Sequence, residues 1–184
     1  MEKQYSKAKI VRETFPSEII SIIGDILAGI ILLLLIVHFK SFLVLILIIP
    51  ALLSLRGNLS GPFIARTSRD LIVGQFNKRS WAENTLATFF LSILTGILIG
   101  FLSLMMNIYL FKTDILSFEI FFLIPLISIT LTLIISIPCS TILNYIAFNY
   151  GIDPNNMVSP IMTAVDDFFT VICFYITLII LGVP

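Results

Sequence analysis

Apolar runs of unequal length, separated by short polar stretches, set the plan of this chain. Residues 19–38 form a run about long enough for a helix to cross the roughly 30 Å hydrocarbon layer. No small-residue cleavage site follows and further apolar runs do, so this run reads as a retained first helix. Pro16, with Ser17 or Glu18 after it, marks the expected start. Residues 42–55 are too few to cross alone, contain Pro50 and end in Ser54-Leu55-Arg56-Gly57-Asn58. Either a helix continues past Arg56, kinked where Pro50 frees the carbonyl of Ile46, or the chain breaks or re-enters there. Residues 59–75 mix Arg66, Arg69 and Asp70 with Leu59, Phe63, Ile64 and Leu71, as in a helix leaving the membrane near Gly74. One long second helix that projects from the bilayer satisfies both observations.

Trp81 lies beside a basic loop containing Lys78 and Arg79, where an interfacial anchor belongs. Residues 85–110 make a third span, in which Gly96 and Gly100 suit close helix packing. The fourth run, 117–148, contains Pro125 and Pro138 with Ser128, Thr132, Ser136, Ser140 and Asn144. Such residues are tolerated where neighbouring helices satisfy the freed backbone groups, so this helix is expected to face protein or a cavity. The fifth run is 160–183. The pattern predicts an all-α integral membrane protein with five transmembrane helices: a cytoplasmic segment 1–18 and a membrane domain 19–184.

Composition agrees: 58% hydrophobic residues, 12% charged residues and a mean hydropathy of +1.09 exceed what a water-soluble fold of this size buries. The formal net charge is zero and the basic residues lie in loops without interleaved aromatics, which argues against nucleic-acid binding. Cys139 and Cys173 both fall inside apolar runs and suggest neither a disulfide framework nor a zinc site. Lys3, Lys7, Lys9, Arg12, Arg56, Arg66, Arg69, Lys78 and Arg79 fall on one side, against Lys40 and Lys112 on the other. The positive-inside rule therefore puts the N-terminus in the cytoplasm and the C-terminus outside a cell membrane that the chain crosses several times.

The candidate chemistry is in the last span. Asp166 and Asp167 interrupt an apolar run, and a carboxylate at the bilayer centre costs roughly 2.5–3.5 kcal/mol on insertion scales. Adjacent helical residues diverge by about 100°, so the two cannot serve one target. Steps of four back from Asp167 reach Thr163 and Ser159, all oxygen-bearing, whereas the same steps from Asp166 reach Met162 and Val158. Asp167, Thr163 and Ser159 thus form a stripe chemically suited to a hard divalent cation, the other reading of Asp167 being a carboxylate bonded to a neighbouring helix. The other reading of Ser159 is a helix N-cap with Pro160 at the first helical position, which would set Asp167 about 10 Å up the helix. Asp25 in the first span is a helix-helix hydrogen-bonding group or an inner-mouth group.

Two stretches, Pro50-Ala-Leu-Leu-Ser-Leu-Arg-Gly-Asn58 and Gly151-Ile-Asp-Pro-Asn-Asn156 with Pro160 and Asp167 beyond, resemble the two signatures of MgtE-type divalent cation transporters, a family related to eukaryotic solute carriers. The resemblance implies a five-helix pore domain working as a two-fold dimer, with Mg2+ passing along the interface and Asp167 holding the hydrated ion. It sets a turn at Gly57-Asn58 near the cytoplasmic part of the path and Asp153, Asn155 and Asn156 at the mouth, with Asp166 a weaker pathway residue. Bacterial members carry cytosolic magnesium-sensing domains ahead of the membrane part; about eighteen residues precede the first span here, which leaves such gating unsupported. A homodimer is the expected assembly, and pairing with a separately encoded homologous half stays open. The rivals are a non-transporting assembly subunit and an intramembrane enzyme using Asp166 and Asp167. The divergence of the two carboxylates, and the lack of a Ser–His or His–Glu metal motif, argue against the enzyme.

Overall fold

The structure, a computed structural model, describes residues 7–38, 45, 48–112 and 116–183, with the side chains of 36–38 and of Arg56 left aside. Lys3 and Lys40, used above for orientation, lie outside the described residues. Five long helices run through the described residues: α1 (Lys7–His38), α2 (Ile48–Val73), α3 (Lys78–Met106), α4 (Phe118–Asn149) and α5 (Pro154–Ile180). A π-helical turn, Asn107–Phe111, extends α3, and there is no strand among the described residues. Among the described residues four helices, α1, α3 with its extension, α4 and α5, are long and apolar enough to cross a membrane. The composition of α2, with Arg66, Arg69 and Asp70 in its second half, sets it apart from these four.

α2 settles the alternatives at Pro50. It is continuous from Ile48 to Val73 and includes Gly57, Asn58 and Pro62. The physical reason is tertiary: Ile48, Leu52, Leu55, Leu59, Phe63 and Leu71 recur at helical spacing and are all buried, so one face is held along its length. α2 packs on α3, α4 and α5. The expected turn at Gly57-Asn58 is therefore absent, and both residues are helical and exposed.

α1 also departs from expectation. The helix is described from Lys7 and passes Pro16 without ending, rather than starting at Ser17 or Glu18. It packs chiefly on α5 through Ser17, Ser21 and Ala28, with Gly24 pressed against Ala164. A Cβ on Gly24 would stand 2.4 Å from that of Ala164, so a side chain there would force the helices apart.

Gly96 and Gly100 play the packing role expected of them. A Cβ on Gly100 would meet the Phe121 carbonyl oxygen at 2.7 Å and the Phe122 Cα at 2.9 Å. On α4, Ser128, Thr132, Ser136, Ser140 and Asn144 are all buried, as expected of a helix facing protein. The Thr132 hydroxyl donates to the Ser128 carbonyl at 2.7 Å, and the Ser128 hydroxyl to Thr177 Oγ1 of α5 at 3.1 Å.

At one end of the bundle the last turns of α2 and α4 meet the first turns of α3 and α5. Trp81 donates its indole N–H to Thr141 Oγ1 at 3.0 Å, and the Ser80 hydroxyl donates to the Asp70 carboxylate. Arg79 and Glu83 pair at 2.8 Å on the surface, and the carboxylate holds the guanidinium proton more firmly than usual. Lys9, Arg12, Arg66, Arg69 and Lys78 belong to this same end.

Candidate ion pathway

α5 begins six residues before Pro160. Asp153 is its N-cap, with Pro154 in the first turn; the Asp153 carboxylate accepts from the Asn155 backbone N–H at 3.0 Å and from its side-chain amide at 3.1 Å. This is the arrangement the sequence signals, since a short carboxylate satisfies an orphan N–H and proline lacks one. Ser159 is therefore not the N-cap. Asp167 lies about 20 Å from the start of the helix, near its middle, rather than about 10 Å.

The two adjacent aspartates differ as the helical geometry requires. Asp166 faces the bundle and is 1% exposed, beside the buried phase that carries Val158, Met162 and Thr170. On the other phase Ser159 and Asp167 are half-buried and Thr163 is exposed. The stripe Ser159–Thr163–Asp167 thus opens to the outside of this chain, at mid-helix. The Thr163 hydroxyl donates to the Ser159 carbonyl at 3.1 Å, which uses its proton and leaves oxygen lone pairs facing outward.

Asn58 has a comparable depth. Ile64 of α2 packs in one cluster with Val158 and Met162 of α5. Six residues outward along α2, about 9 Å, lies Asn58, and five outward along α5, about 7.5 Å, lies Asp167. Asn58, Gly57 and Ser54 are all exposed, so α2 leaves an open face of small and oxygen-bearing residues at that level.

Asp25 is exposed, and it is the one charged residue of α1 between Ile19 and Leu35. Gly24 sits on Ala164, which brings Asp25 within about one turn of the level of Asp167. A groove on one side of the α1–α5 pair is lined by Ile20, Ile23 and Leu27 from α1 and by Val165, Phe168 and Phe169 from α5. Asp25 lies roughly 170° round α1 from its groove residues, and Thr163 roughly 160° round α5 from its own. Both therefore open on the side opposite the groove.

One residue at the mouth was not visible to sequence reasoning. Glu13, on the part of α1 taken as a polar leader, accepts from the side-chain amide of Asn156 at 3.0 Å and pairs with Lys9 at 3.5 Å. Nothing in the local sequence marks a contact across 143 positions. Asn156 is thereby tied to α1, whereas Asp153 and Asn155 are engaged with each other as a cap. No group of three or more His, Cys, Asp and Glu gathers among the described residues.

An all-helical chain with apolar spans and an intramembrane carboxylate stripe has the make-up of a membrane transport protein. The chain belongs to the MgtE family: the model for this family, described as a divalent cation transporter, matches residues 49–177. This stretch takes in α2, α3, α4 and most of α5, with Asn58, Asp153, Asp166 and Asp167. No curated protein and no solved structure matches. The family is one of transporters and not of enzymes.

Proposed function

We propose that the chain carries Mg2+ across the cell membrane along the open face of α5, with Asp167 as the principal ligand of the hydrated ion. Thr163 and Ser159 continue the path inward, Asn156 stands at its cytoplasmic mouth, and Asn58 and Asp25 flank it. The single observation that carries this reading is that at mid-helix Thr163 is exposed and Asp167 half-buried while Asp166, one position away, is buried. A carboxylate left open to lipid would be costly, so the face calls for a cover. A second copy related by a two-fold axis supplies one and brings two Asp167 side chains to a shared path. The basic end of the bundle then faces the cytoplasm.

Mg2+ gives up its waters reluctantly, and a wide path lined by one carboxylate per chain with hydroxyl and amide oxygens suits a partly hydrated ion. The same oxygens would accept Mn2+, Co2+ or Ca2+, so preference is set by the width of the closed path. The test is Mg2+ influx into proteoliposomes. Wild type conducts, Asp167→Ala abolishes influx while remaining folded, and Asp166→Ala conducts per folded molecule. Equal influx in wild type and Asp167→Ala would remove the assignment. A Thr163→Cys variant that forms a cross-linked dimer in bilayers supports the two-fold cover, whereas a monomeric product refutes it. An assembly subunit would instead show no influx in wild type, with Asp167→Ala disrupting oligomers.

A further inference from the structure

The mechanism above leaves the other side of the α1–α5 pair unused. At the basic end a cavity of about 580 Å³ lies between the first turns of α1 and the α4–α5 turn; Lys9, Arg12, Glu13, Tyr150 and Ile20 are among its walls. The apolar groove of about 270 Å³ described above begins at the same Ile20 and runs into the membrane-spanning part between α1 and α5. The two share Ile20 as a wall, which sets the charged cavity end to end with the apolar groove. Glu13 is the acidic member of the cavity, but its carboxylate is already engaged by Lys9 at 3.5 Å and by the Asn156 amide at 3.0 Å. Arg12 extends the cavity's positive charge, and two cations against one carboxylate leave it net positive.

We propose that cavity and groove together bind one anionic phospholipid, with its phosphate beside Arg12 and Lys9 and an acyl chain along Ile23, Leu27 and Phe168. The occupant is argued from complementarity: a basic pocket at headgroup level joined to an apolar slot is the shape and charge of an anionic lipid. A protein segment would need hydrogen-bond partners for its backbone, and the groove offers almost no polar surface to supply them. The lipid lies on the face of α5 opposite Thr163, so it braces α1 against the pathway helix without entering the path.

The test reads lipid retention and needs no ion flux, so it stands or falls separately from the transport reading. The full-length chain in detergent is titrated with phosphatidylglycerol and with phosphatidylcholine, and bound lipid is counted by native mass spectrometry. Wild type is expected to prefer phosphatidylglycerol. Arg12→Gln lowers that affinity about fivefold and Lys9→Gln with Arg12→Gln roughly thirtyfold, while phosphatidylcholine binding is unchanged. Leu27→Trp, which fills the groove and leaves the charges, lowers retention of both lipids. Asp167→Ala retains lipid as wild type does. Equal affinity for the two lipids, no response to Arg12→Gln, or no response to Leu27→Trp overturns the proposal. So does complete displacement by inorganic phosphate, which would make the pocket a phosphate site, or efficient dimer cross-linking of Ile23→Cys, which would give the groove to a second copy.

Discussion

The side-chain amide of Asn156, in the first turn of α5, donates to the Glu13 carboxylate of α1 at 3.0 Å. Lys9 approaches the same carboxylate at 3.5 Å, and the Glu13 side chain is only 13% exposed. A hydrogen bond to a partly desolvated charge is worth about 1.5–3 kcal/mol. Glu13→Ala is expected to lower the thermal stability of the detergent-solubilised protein by an amount in that range. Glu13→Gln, which keeps an acceptor oxygen, loses less. Melting curves for the two variants check the order; an unshifted Glu13→Ala would show that the contact holds nothing.

The two glycines of α3 separate packing against backbone from packing against side-chain ends. At Gly100 an added methyl meets the Phe121 carbonyl oxygen at 2.7 Å and the Phe122 Cα at 2.9 Å, neither of which can turn aside. At Gly96 it meets the Leu126 Cδ2 at 3.1 Å and the Ile129 Cδ1 at 3.3 Å, both free ends of side chains. Alanine improves helix propensity by about 1 kcal/mol at either place. Gly96→Ala is therefore expected near neutral, and Gly100→Ala destabilising by about 1–3 kcal/mol. Equal melting temperatures for the two would contradict the close α3–α4 approach at Gly100.

How far the sequence disclosed this architecture depends on whether a feature is local. The stripe Ser159–Thr163–Asp167 and its divergence from Asp166 follow from 100° per residue, whereas the burial of Asp166 depends on which helices α5 meets. The start of α5 was also legible, in Asp153-Pro154, but Pro160 drew attention away from that cap. Pro16 suggested a helix start that the structure does not have, whereas the long second helix expected through Arg56 is present. At Gly57 and Pro62 tertiary packing overrode the local preference, because the buried face from Ile48 to Leu71 is continuous across them. The Glu13–Asn156 tie and the depth shared by Asn58 and Asp167 depend on which helices meet, which the apolar pattern of one chain does not encode.

Gly24 and Ala164 make a reciprocal pair. Gly24→Ala places two methyl carbons 2.4 Å apart unless α1 and α5 separate. Ala164→Gly removes the opposing methyl, so the double variant should recover most of what Gly24→Ala loses. A double-mutant cycle on thermal stability, with a coupling of about 1–3 kcal/mol, checks this. Strict additivity would mean that the helices do not meet at this point in the bilayer.

Asp166 and Asp167 should fail in different ways. Asp166 is enclosed by the bundle, and removal of a buried polar group leaves its neighbours unsatisfied at about 1–3 kcal/mol. Asp166→Ala is expected to lower the yield and melting temperature of folded protein. Asp167→Ala, on the open face, should leave both close to wild type. Size-exclusion profiles and melting curves distinguish the two without a transport measurement. A reversed order would place the bundle-facing carboxylate at the wrong position.

Pro160 lies within α5 and has no N–H, so the carbonyl of Asn156, four residues before it, loses its helical donor. The Ser17 hydroxyl stands 3.5 Å from that oxygen, but the same hydroxyl is 2.9 Å from the Glu13 carbonyl, and one proton serves the shorter contact. The Asn156 oxygen therefore keeps most of its capacity to accept, on the helical phase of Ser159, Thr163 and Asp167. Carbonyl oxygens are good ligands for hard divalent cations, so the proline adds one to the inner end of the proposed path. Pro160→Ala would restore the N–H and close the bond. Since proline in a helix interior is about 3 kcal/mol less favourable than alanine, the variant should melt higher than wild type. Its Mg2+ influx per folded molecule should fall several-fold, because the oxygen is then occupied. Higher stability with unchanged influx would limit Pro160 to shaping the helix and take the Asn156 carbonyl out of the path.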